Sequence, residues 1–499
     1  MPDWIPRLRD ALLAADYGYD GVADLLGTTA HAALARNETT PGLRRTTGGS
    51  PLETLTRLWL LQATVPVEAV ERALPGLLDE LCAARVLDRS VGEVAARVDL
   101  RPYGTDEGSL WVLGDLTPGL DGGPNRVGAD HVLGISPAAT SLAQLTVRRP
   151  FGSALDLGTG CGVQALHLAH HVEHVVGTDV NRRALWIAGL NAELNEVGID
   201  LREGSFFEPV AGERFDLVVT NPPFVISPAT GERLVYRDSG LPGDRAVEHV
   251  VREIPRHLAP GGYGQVLANW AILRDHPWDE RLGTWLHPSA GSGQGAACDA
   301  WVVQRETLDP AEYVELWLKD AGLHGSAGYL ERYDTWLSWL DDQGVDGVGF
   351  GWINLRSREG GRRATGGDDH RLEEWRWEVE QPLGDEVAAH FDRTALLRGL
   401  TDDALLASRP RLRADVVQET HGPVGAEDPS TIVLRQQRGL RRARQVDTVE
   451  AALAGASDGD LTVGQLLGAL EQILGPDAGG TGRLRGVREL VAEGFLEVG

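Results

Sequence analysis

The fold is decided by a glycine-rich stretch in the first third of the chain, Ala154-Leu155-Asp156-Leu157-Gly158-Thr159-Gly160-Cys161-Gly162. Its apolar start predicts a buried strand, and the run 163–172 that follows is typical of a helix. Glycines at alternating positions let the backbone turn sharply and approach a ligand closely. The stretch therefore indicates a strand, a tight turn and a helix, although many nucleotide-binding folds contain such a turn.

A second apolar strand is predicted at 174–179, and it ends in the carboxylate of Asp179. Asp179 follows Asp156 by roughly 20 residues, which is the offset expected for an acid that binds ribose hydroxyls. Taken alone, Asp179 is equally consistent with an N-cap of the next helix. Together, the glycine turn and the acid favour an adenosine-containing ligand.

A rigid tetrapeptide, Asn221-Pro222-Pro223-Phe224, follows a further apolar run at 215–220, and we call this tetrapeptide the shelf. Each proline fixes its own φ and biases the preceding residue toward extended geometry. The Asn221 side-chain oxygen and the Pro222 carbonyl can each accept one N–H of a planar NH₂ group, while the Phe224 ring stacks on the attached π-system. An isolated tetrapeptide of this kind would indicate only a turn, so its meaning depends on the motifs upstream.

The order of these motifs resembles the class I S-adenosylmethionine-dependent methyltransferases, and more narrowly their amino-methylating branch. It combines Asp-x-Gly-x-Gly-x-Gly, an acidic second strand, and Asn-Pro-Pro-aromatic after the fourth strand. That branch includes release-factor glutamine N5-methyltransferases and small-domain enzymes that act on adenine or guanine amino groups of nucleic acids. The resemblance covers about residues 131–270. It implies S-adenosyl-L-methionine as cofactor and an α/β fold with a seven-stranded Rossmann-like sheet.

The resemblance also implies roles for individual residues. The acceptor would be held by Asn221, Pro222, Pro223 and Phe224. The cofactor would be bound by Asp156, Gly158, Thr159, Gly160, Gly162, Asp179, Val180, Ser205, Phe206 and Asn221.

One departure from the family pattern follows the third strand, where such enzymes often carry an acid beside the adenine. This chain has Glu203-Gly204-Ser205-Phe206-Phe207 there, so Ser205 would bond the adenine amino group and Phe206 or Phe207 would pack on its ring.

Two further segments are predicted to close the site. Residues 131–137 precede a short helix that should cap the cofactor pocket. The loop 236–244 resembles a Gly- and Asp-rich loop of the release-factor enzymes and should close over the acceptor, with Asp244 capping the helix that follows. We assign no catalytic role to Tyr236 or Arg237 in this loop, because arginines and acids in loops are usually solvated.

The expected chemistry is in-line displacement of a methyl group from a sulfonium to a nitrogen. The nitrogen of an amide or exocyclic amine is delocalised, and two acceptors bound to its hydrogens can pull it toward tetrahedral geometry. Positioning and hydrogen bonding then replace a strong base. This agrees with a sequence in which no His or Cys dyad stands out.

Length and composition define the setting. A chain of 499 residues predicts two to four domains. It has no apolar span near 18 residues and no basic-then-apolar start, so we expect neither a membrane segment nor a signal peptide. Cys82, Cys161 and Cys298 form no metal or disulfide pattern, which favours a reduced, cytoplasmic location and no metal.

Charge constrains the partners. A net charge of −26 argues against a protein that coats nucleic acid nonspecifically, but a local basic site remains open. The densest basic run offers a phosphate or acidic-partner contact, or simply a solvated surface, at Arg435, Arg438, Arg441, Arg442 and Arg444.

Three domains are predicted, at 1–125, 126–360 and 361–499. The first is helical and winged-helix-like, with its hairpin strands at 94–103 and 109–114. The second is the catalytic domain, whose later strands are expected at 261–270, 300–303 and 348–355, with an inserted helix pair at 310–321 and 331–340. The third is a small α+β domain with strands at 372–379, 412–419 and 430–436 and helices at 385–397, 449–453, 463–474 and 484–492.

Three functions follow from the sequence. The first is methylation of an amide nitrogen in a protein or peptide, most simply a glutamine side chain. The second is methylation of an exocyclic amine of adenine or guanine in RNA or, less favoured, DNA. The third is a non-catalytic cofactor-binding scaffold, against which the intact Asp156, Asp179 and Asn221 argue. The sequence does not separate the first two, because the shelf suits any planar NH₂ group.

Overall fold

The structure is a computed structural model that describes residues 3–106, 108–123, 128, 130–228, 241–286, 298–358, 369–424, 429–475, 478–479 and 481–498. Its contacts divide the chain into two compact units. The first unit consists of residues 1–143 and 149–361, and the second of residues 144–148 and 362–499. The boundaries that we predict at residues 125 and 360 remain predictions.

The N-terminal part of the first unit is a helical bundle followed by two hairpins. Its helices are α1 (Trp4–Ala14), α2 (Tyr19–Leu34), α3 (Thr40–Arg45), α4 (Pro51–Leu55), α5 (Val67–Ala73) and α6 (Leu78–Ala83). Its strands are β1 (Val65–Pro66), β2 (Leu87–Ser90), β3 (Glu93–Ala96), β4 (Val98–Thr105) and β5 (Gly108–Asp115). Helix α4 begins with a capping box, in which Ser50 and Glu53 bond each other's backbone N–H, and it continues into a π-helical turn at Thr56–Leu60.

The strands of this region differ from the prediction. A single strand at 94–103 is wrong, because the chain bends at Arg97, whose N–H donates to the Val86 carbonyl at 2.9 Å. An earlier turn contains Gly92, whose φ of +77° lies in the left-handed region. The turn joins β2 to β3, and these strands form a small sheet with β1 in the order β1-β3-β2. A separate hairpin, β4 with β5, follows after Arg97.

The part of the first unit that follows alternates helices and strands. The helices are α7 (Pro137–Leu145), α8 (Val163–Leu168), α9 (Arg182–Leu194), α10 (Arg245–Glu253), α11 (Trp278–Leu286), α12 (Pro310–Asp320) and α13 (Tyr329–Asp342). The strands are β6 (Phe151–Leu157), β7 (Val172–Asp179), β8 (Asp200–Glu203), β9 (Phe215–Thr220), β10 (Leu258–Leu273), β11 (Cys298–Leu308) and β12 (Val345–Ser357).

These seven strands lie in the order β11-β12-β10-β9-β6-β7-β8. Strands β6 to β10 pair in parallel, whereas β12 is antiparallel to β10 and β11 is antiparallel to β12. A mixed α/β class with a large, mainly parallel sheet is thereby confirmed. The total strand count and the nature of the flanking domains remain predictions.

The register of the central strands positions the site. Leu157 of β6 is level with Thr178 of β7 on one side and with Thr220 of β9 on the other. The chain runs from β6 to β7 and β8, then crosses to the opposite side of β6 to form β9. Such a reversal opens a crevice at the carboxyl ends of the strands, which is where open α/β sheets bind ligands.

The second unit is a smaller α+β assembly. Its helices are α14 (Gly384–Gly399), α15 (Asp402–Ala407), α16 (Thr448–Gly455), α17 (Val463–Leu474) and α18 (Leu484–Ala492). Its strands are β13 (His370–Glu374), β14 (Pro410–Leu412), β15 (Val416–His421), β16 (Thr431–Gln436), β17 (Ala443–Val446) and β18 (Leu496–Val498). A continuous strand at 412–419 is wrong: β14 pairs with β18, while β15 joins β16 and β17 in another sheet.

The arginine run lies on β16, β17 and the turn between them. All five of its arginines are ion-paired with glutamates of the same unit: Arg435 with Glu419, Arg438 with Glu380, Arg441 with Glu378, Arg442 with Glu373, and Arg444 with Glu450, Glu489 and Glu493. The run is therefore paired within its own unit, and its contact with a phosphate or an acidic partner remains a prediction.

Within the described residues, none of the helices combines the length and apolarity needed to cross a bilayer.

Candidate functional site

The glycine turn between β6 and α8 is organised by Asp156. Its buried Oδ2 accepts the Thr159 hydroxyl proton at 2.6 Å and the Ala165 N–H at 3.1 Å. Burial raises the pKa of Asp156 to about 7. Gly158 and Gly160 have φ of +73° and +55°, a left-handed geometry that glycine adopts without strain.

Asp179 connects the end of β7 to the same turn. Its Oδ2 accepts the Gly160 N–H at 2.9 Å, and its Oδ1 accepts the Asn181 N–H at 2.8 Å. Burial raises the pKa of this carboxyl group as well. Each carboxylate oxygen retains a second acceptor site, so Asp179 can hold the turn and still accept a ligand hydroxyl.

The shelf follows β9 at the same level of the sheet. Leu157, Thr178 and Thr220 are in register on three adjacent strands. The residues that follow them, Gly158, Asp179 and Asn221, therefore lie side by side. The Asn221 Oδ1 atom is buried and has no hydrogen-bond partner among the described residues. An unpaired buried acceptor is costly in a folded protein and indicates a place for a donor.

Helices α12 and α13 hold the far end of the shelf. Tyr313 Oη accepts the Ile226 N–H at 2.8 Å, and Trp336 Nε1 donates to the Ile226 carbonyl at 2.9 Å. The Phe224 ring lies edge-on to Trp317, with 6.1 Å between ring centroids. Trp317 and Trp336 of the predicted insertion are buried and serve packing.

The turn, Asp179 and the shelf line one cavity of about 620 Å³. Twelve of the thirteen predicted site residues line it: Asp156, Gly158, Thr159, Gly160, Asp179, Val180, Ser205, Phe206, Asn221, Pro222, Pro223 and Phe224. Gly162 does not. It has a φ of +85°, and a Cβ at this position would lie 3.1 Å from the Cβ of Ala188 on α9. Gly162 is therefore accounted for by helix packing.

The segment after β8 separates two phenylalanines that the sequence leaves as alternatives. Phe206 lines the cavity with a φ of +45°, unusual for a bulky residue, and its ring lies edge-on to His249 at 5.0 Å. Phe207 is buried and stacks on His257 at 4.5 Å. Ser205 lines the cavity, in agreement with its predicted position near the ligand.

Part of the predicted acceptor loop, including Tyr236 and Arg237, lies outside the described residues. Asp244 stands at the start of α10, but its side chain makes no capping bond. The expected capping role is therefore wrong. Its carboxylate instead accepts the Ala271 N–H at 2.8 Å and pairs with Arg281 at 2.7 Å, which ties α10 to β10 and α11.

The cap segment, residues 131–137, lines the same cavity. His131, Val132, Leu133, Gly134 and Ser136 line the cavity, as do Ala138 and Ala139 of α7. This arrangement agrees with the predicted cap.

Gln164 and Thr178 are among the lining residues that the sequence reasoning missed. Gln164 Nε2 donates to the Ala139 carbonyl at 2.7 Å and so joins the turn to the cap; a polar residue in the otherwise apolar start of α8 was its signal. Thr178 Oγ1 is buried without a partner among the described residues, but a threonine in a strand carries no distinguishing signal.

Two family models match parts of the chain. Residues 135–274 match the methyltransferase small domain, and residues 14–97 match a domain of unknown function, DUF7059. The first range contains every residue of the turn, Asp179 and the shelf.

Curated relatives align with about a quarter of the chain. The release factor glutamine methyltransferase of Xylella fastidiosa is 36% identical over 26% of this chain and 50% of its own length. That of Geobacter sulfurreducens is 36% identical over 23% and 45%. The ribosomal protein uL3 glutamine methyltransferase of Bradyrhizobium diazoefficiens is 31% identical over 28% and 48%. This chain thus spans about half the length of these relatives.

Among solved structures, a methyltransferase from Pyrococcus furiosus aligns with 34% of this chain and 76% of its own, at 21% identity and a TM-score of 0.23.

Proposed function

We propose that this chain, whose residues 135–274 match a methyltransferase small domain, transfers a methyl group from S-adenosylmethionine to a planar NH₂ nitrogen. The favoured acceptor is a glutamine side-chain amide of a protein or peptide. One observation carries the proposal: the buried Oδ1 of Asn221 has no partner among the described residues and lies in the same cavity as the glycine turn.

The chemistry of the cavity wall fits the cofactor. A Cβ at Gly158 or Gly160 would meet no atom within 4 Å, so the turn presents bare backbone to open space. The unpaired Thr178 Oγ1 and the second acceptor sites of Asp179 suit the polar groups of an adenosine. When bound, S-adenosylmethionine supplies an electrophilic methyl group on a sulfonium.

The shelf residues would act on the acceptor. Asn221 Oδ1 and the Pro222 carbonyl accept its two N–H groups, and the Phe224 ring flanks its π-system. These hydrogen bonds strengthen as the nitrogen becomes tetrahedral and positively charged, so they stabilise the transition state more than the bound amide. The extra proton leaves after the transfer, and the shelf residues need not remove it beforehand.

Two considerations favour a glutamine over a nucleobase. Curated relatives that align with about a quarter of the chain carry the names of glutamine methyltransferases. The arginine run, which supported an exocyclic amine of RNA or DNA, is ion-paired within its own unit. A non-catalytic scaffold would have no use for the unpaired Asn221 Oδ1.

The test uses methyl-labelled S-adenosylmethionine, the full chain and a cell extract. We expect label in a protease-sensitive, nuclease-resistant product. Asn221→Ala should abolish labelling while calorimetry still detects S-adenosylhomocysteine binding, because Asn221 serves the acceptor more than the cofactor. Nuclease-sensitive label would transfer the proposal to the nucleobase, and unchanged labelling by Asn221→Ala would contradict the role of the shelf.

A further inference from the structure

Two asparagines one turn apart on α9 hold strand β5 in the same way. Asn195 Oδ1 accepts the Trp111 N–H at 2.9 Å, and its Nδ2 donates to the Trp111 carbonyl at 2.7 Å. Asn191 Oδ1 accepts the Leu113 N–H at 2.7 Å, and its Nδ2 donates to the Leu113 carbonyl at 2.9 Å. Each side-chain amide thus takes the place of a neighbouring strand at the edge of β5.

Only Asn191 reaches the glycine turn. The second hydrogen of its Nδ2 donates to the Cys161 carbonyl at 2.8 Å, and Cys161 lines the cavity. Asn191 is fully buried, so no water competes for these bonds. The remaining bond of Asn195 stays within its own helix, to the Asn191 carbonyl at 2.8 Å.

The same strand also contacts the cap segment, residues 131–137. Asp115 ends β5, its N–H donates to the Val132 carbonyl at 2.9 Å, and its Oδ2 accepts the Val132 N–H at 2.7 Å. A Cβ at Gly114 would lie 2.7 Å from the Cα of Gly134 in the cap segment. Strand β5 therefore contacts the glycine turn through Asn191 and the cap through Asp115.

We propose that Asn191 is a positioning residue that couples the seating of the β4–β5 hairpin to the cofactor affinity of the glycine turn. The Cys161 carbonyl shares a peptide with the Gly162 N–H, which donates to the Thr159 carbonyl at 2.8 Å, and Cys161 lies between the left-handed Gly160 and Gly162. The Asn191 bond holds the carbonyl side of this peptide, and preorganisation of this kind raises affinity. The inference rests on the proposed function, because it takes the ligand to be S-adenosylmethionine or its demethylated product.

The coupling is reciprocal, so a ligand in the cavity must also stabilise the seated hairpin. The hairpin lies between the two ranges matched by family models, 14–97 and 135–274, and belongs to neither. It is one part of the chain through which the N-terminal region and the cofactor site would influence each other.

The matched variants Asn191→Ala and Asn195→Ala test the inference, with S-adenosylhomocysteine binding to the full chain measured by calorimetry. Both variants lose two bonds to β5, but only the first loses the bond to the turn. We expect binding about tenfold weaker for Asn191→Ala, the equivalent of one hydrogen bond, and a change within about twofold for Asn195→Ala. Equal affinities of the two variants would overturn the inference.

A measurement on the wild-type chain makes the test independent of whether Asn191→Ala folds. Hydrogen exchange followed by mass spectrometry should show slower exchange at 110–115 when S-adenosylhomocysteine is added, with no change in the hairpin at 87–96. Equal changes in both hairpins would also overturn it. If the wild-type chain binds no S-adenosylhomocysteine, the proposed function fails together with this inference. If the wild-type chain binds it but the two variants have equal affinities, only this inference fails.

Discussion

At the residue scale, the site depends on single residues that follow a row of paired strand residues, Leu157, Thr178 and Thr220. The residue after each of them is Gly158, Asp179 and Asn221, respectively, with Gly158 after the central strand. Because parallel strands carry their side chains to a common edge, a row of this kind brings together residues that are distant in sequence.

Asp156 should make stability depend on pH. Its pKa rises from 3.8 to about 7 on burial, so the folded state favours the protonated carboxyl group. The contribution to the free energy of unfolding is complete below about pH 4 and is lost as the pH rises to about 7, at about 1.4 kcal/mol per pKa unit. Asp156→Asn retains an acceptor for Thr159 and Ala165 but does not ionise.

We therefore expect the free energy of unfolding of Asp156→Asn, relative to wild type, to increase by a few kcal/mol between pH 4 and pH 8. Urea unfolding at several pH values measures it. Parallel pH profiles for the two proteins would show that Asp156 does not titrate in this range.

Two glycines of the turn should respond differently to alanine. Both Gly158→Ala and Gly162→Ala place a side chain in left-handed backbone, at a cost of about 1 kcal/mol. Only Gly162→Ala also crowds Ala188, so we expect a larger loss of stability for it, by about 1 kcal/mol or more.

Gly158→Ala, by contrast, adds its methyl group to open cavity, so we expect weaker S-adenosylhomocysteine binding from it. Thermal unfolding and calorimetry on both variants separate the two effects. If the variant that loses more stability also loses more affinity, the assignment of Gly162 to packing and of Gly158 to the cavity would be contradicted.

At the scale of elements, the helix pair α12–α13 supports the shelf that β9 begins. Removing the Tyr313 hydroxyl leaves the Ile226 N–H without its acceptor and deprives Asn269 Nδ2 of a partner at 3.0 Å. Tyr313→Phe should therefore cost about 1–3 kcal/mol of stability. It should also lower methyl transfer to the extract, because the shelf is less well positioned.

Tyr333→Phe is the matched control, since the Tyr333 hydroxyl on α13 bonds only Glu315 at the surface. We expect near wild-type labelling from this control and unchanged S-adenosylhomocysteine binding from both variants. Equal labelling by Tyr313→Phe and Tyr333→Phe would show that the helix pair does not position the acceptor.

At the scale of the whole molecule, charge decides which partners are attracted. The net charge is −26, and the arginine run is neutralised by glutamates. We expect no retention on heparin at about 0.15 M salt, since polyanion binding needs uncompensated cations. The double variant Arg438→Ser/Arg441→Ser should elute as wild type does. Retention of the wild type that the double variant loses would restore a phosphate site at the run.

Elements with a clear apolar period were the most predictable from sequence. The run 215–220 was recovered as β9, and 463–474 and 484–492 as α17 and α18, because apolar periodicity is a local property. The divided strands at 94–103 and 412–419 were missed, since a break at Arg97 or at 413–415 leaves the pattern of alternation almost intact.

The sequence by itself determined the glycine turn, Asp179 and the shelf. Each depends on local backbone preferences of glycine or proline, or on a polar residue at the end of an apolar strand. Only the tertiary structure decided what those motifs touch. Gly162 belongs to helix packing, Asp244 to an ion pair, and the arginine run to glutamates up to 69 positions away. Asn191 reaches β5 and the turn across 78 and 30 positions, and such partners are fixed by packing, which no local pattern encodes.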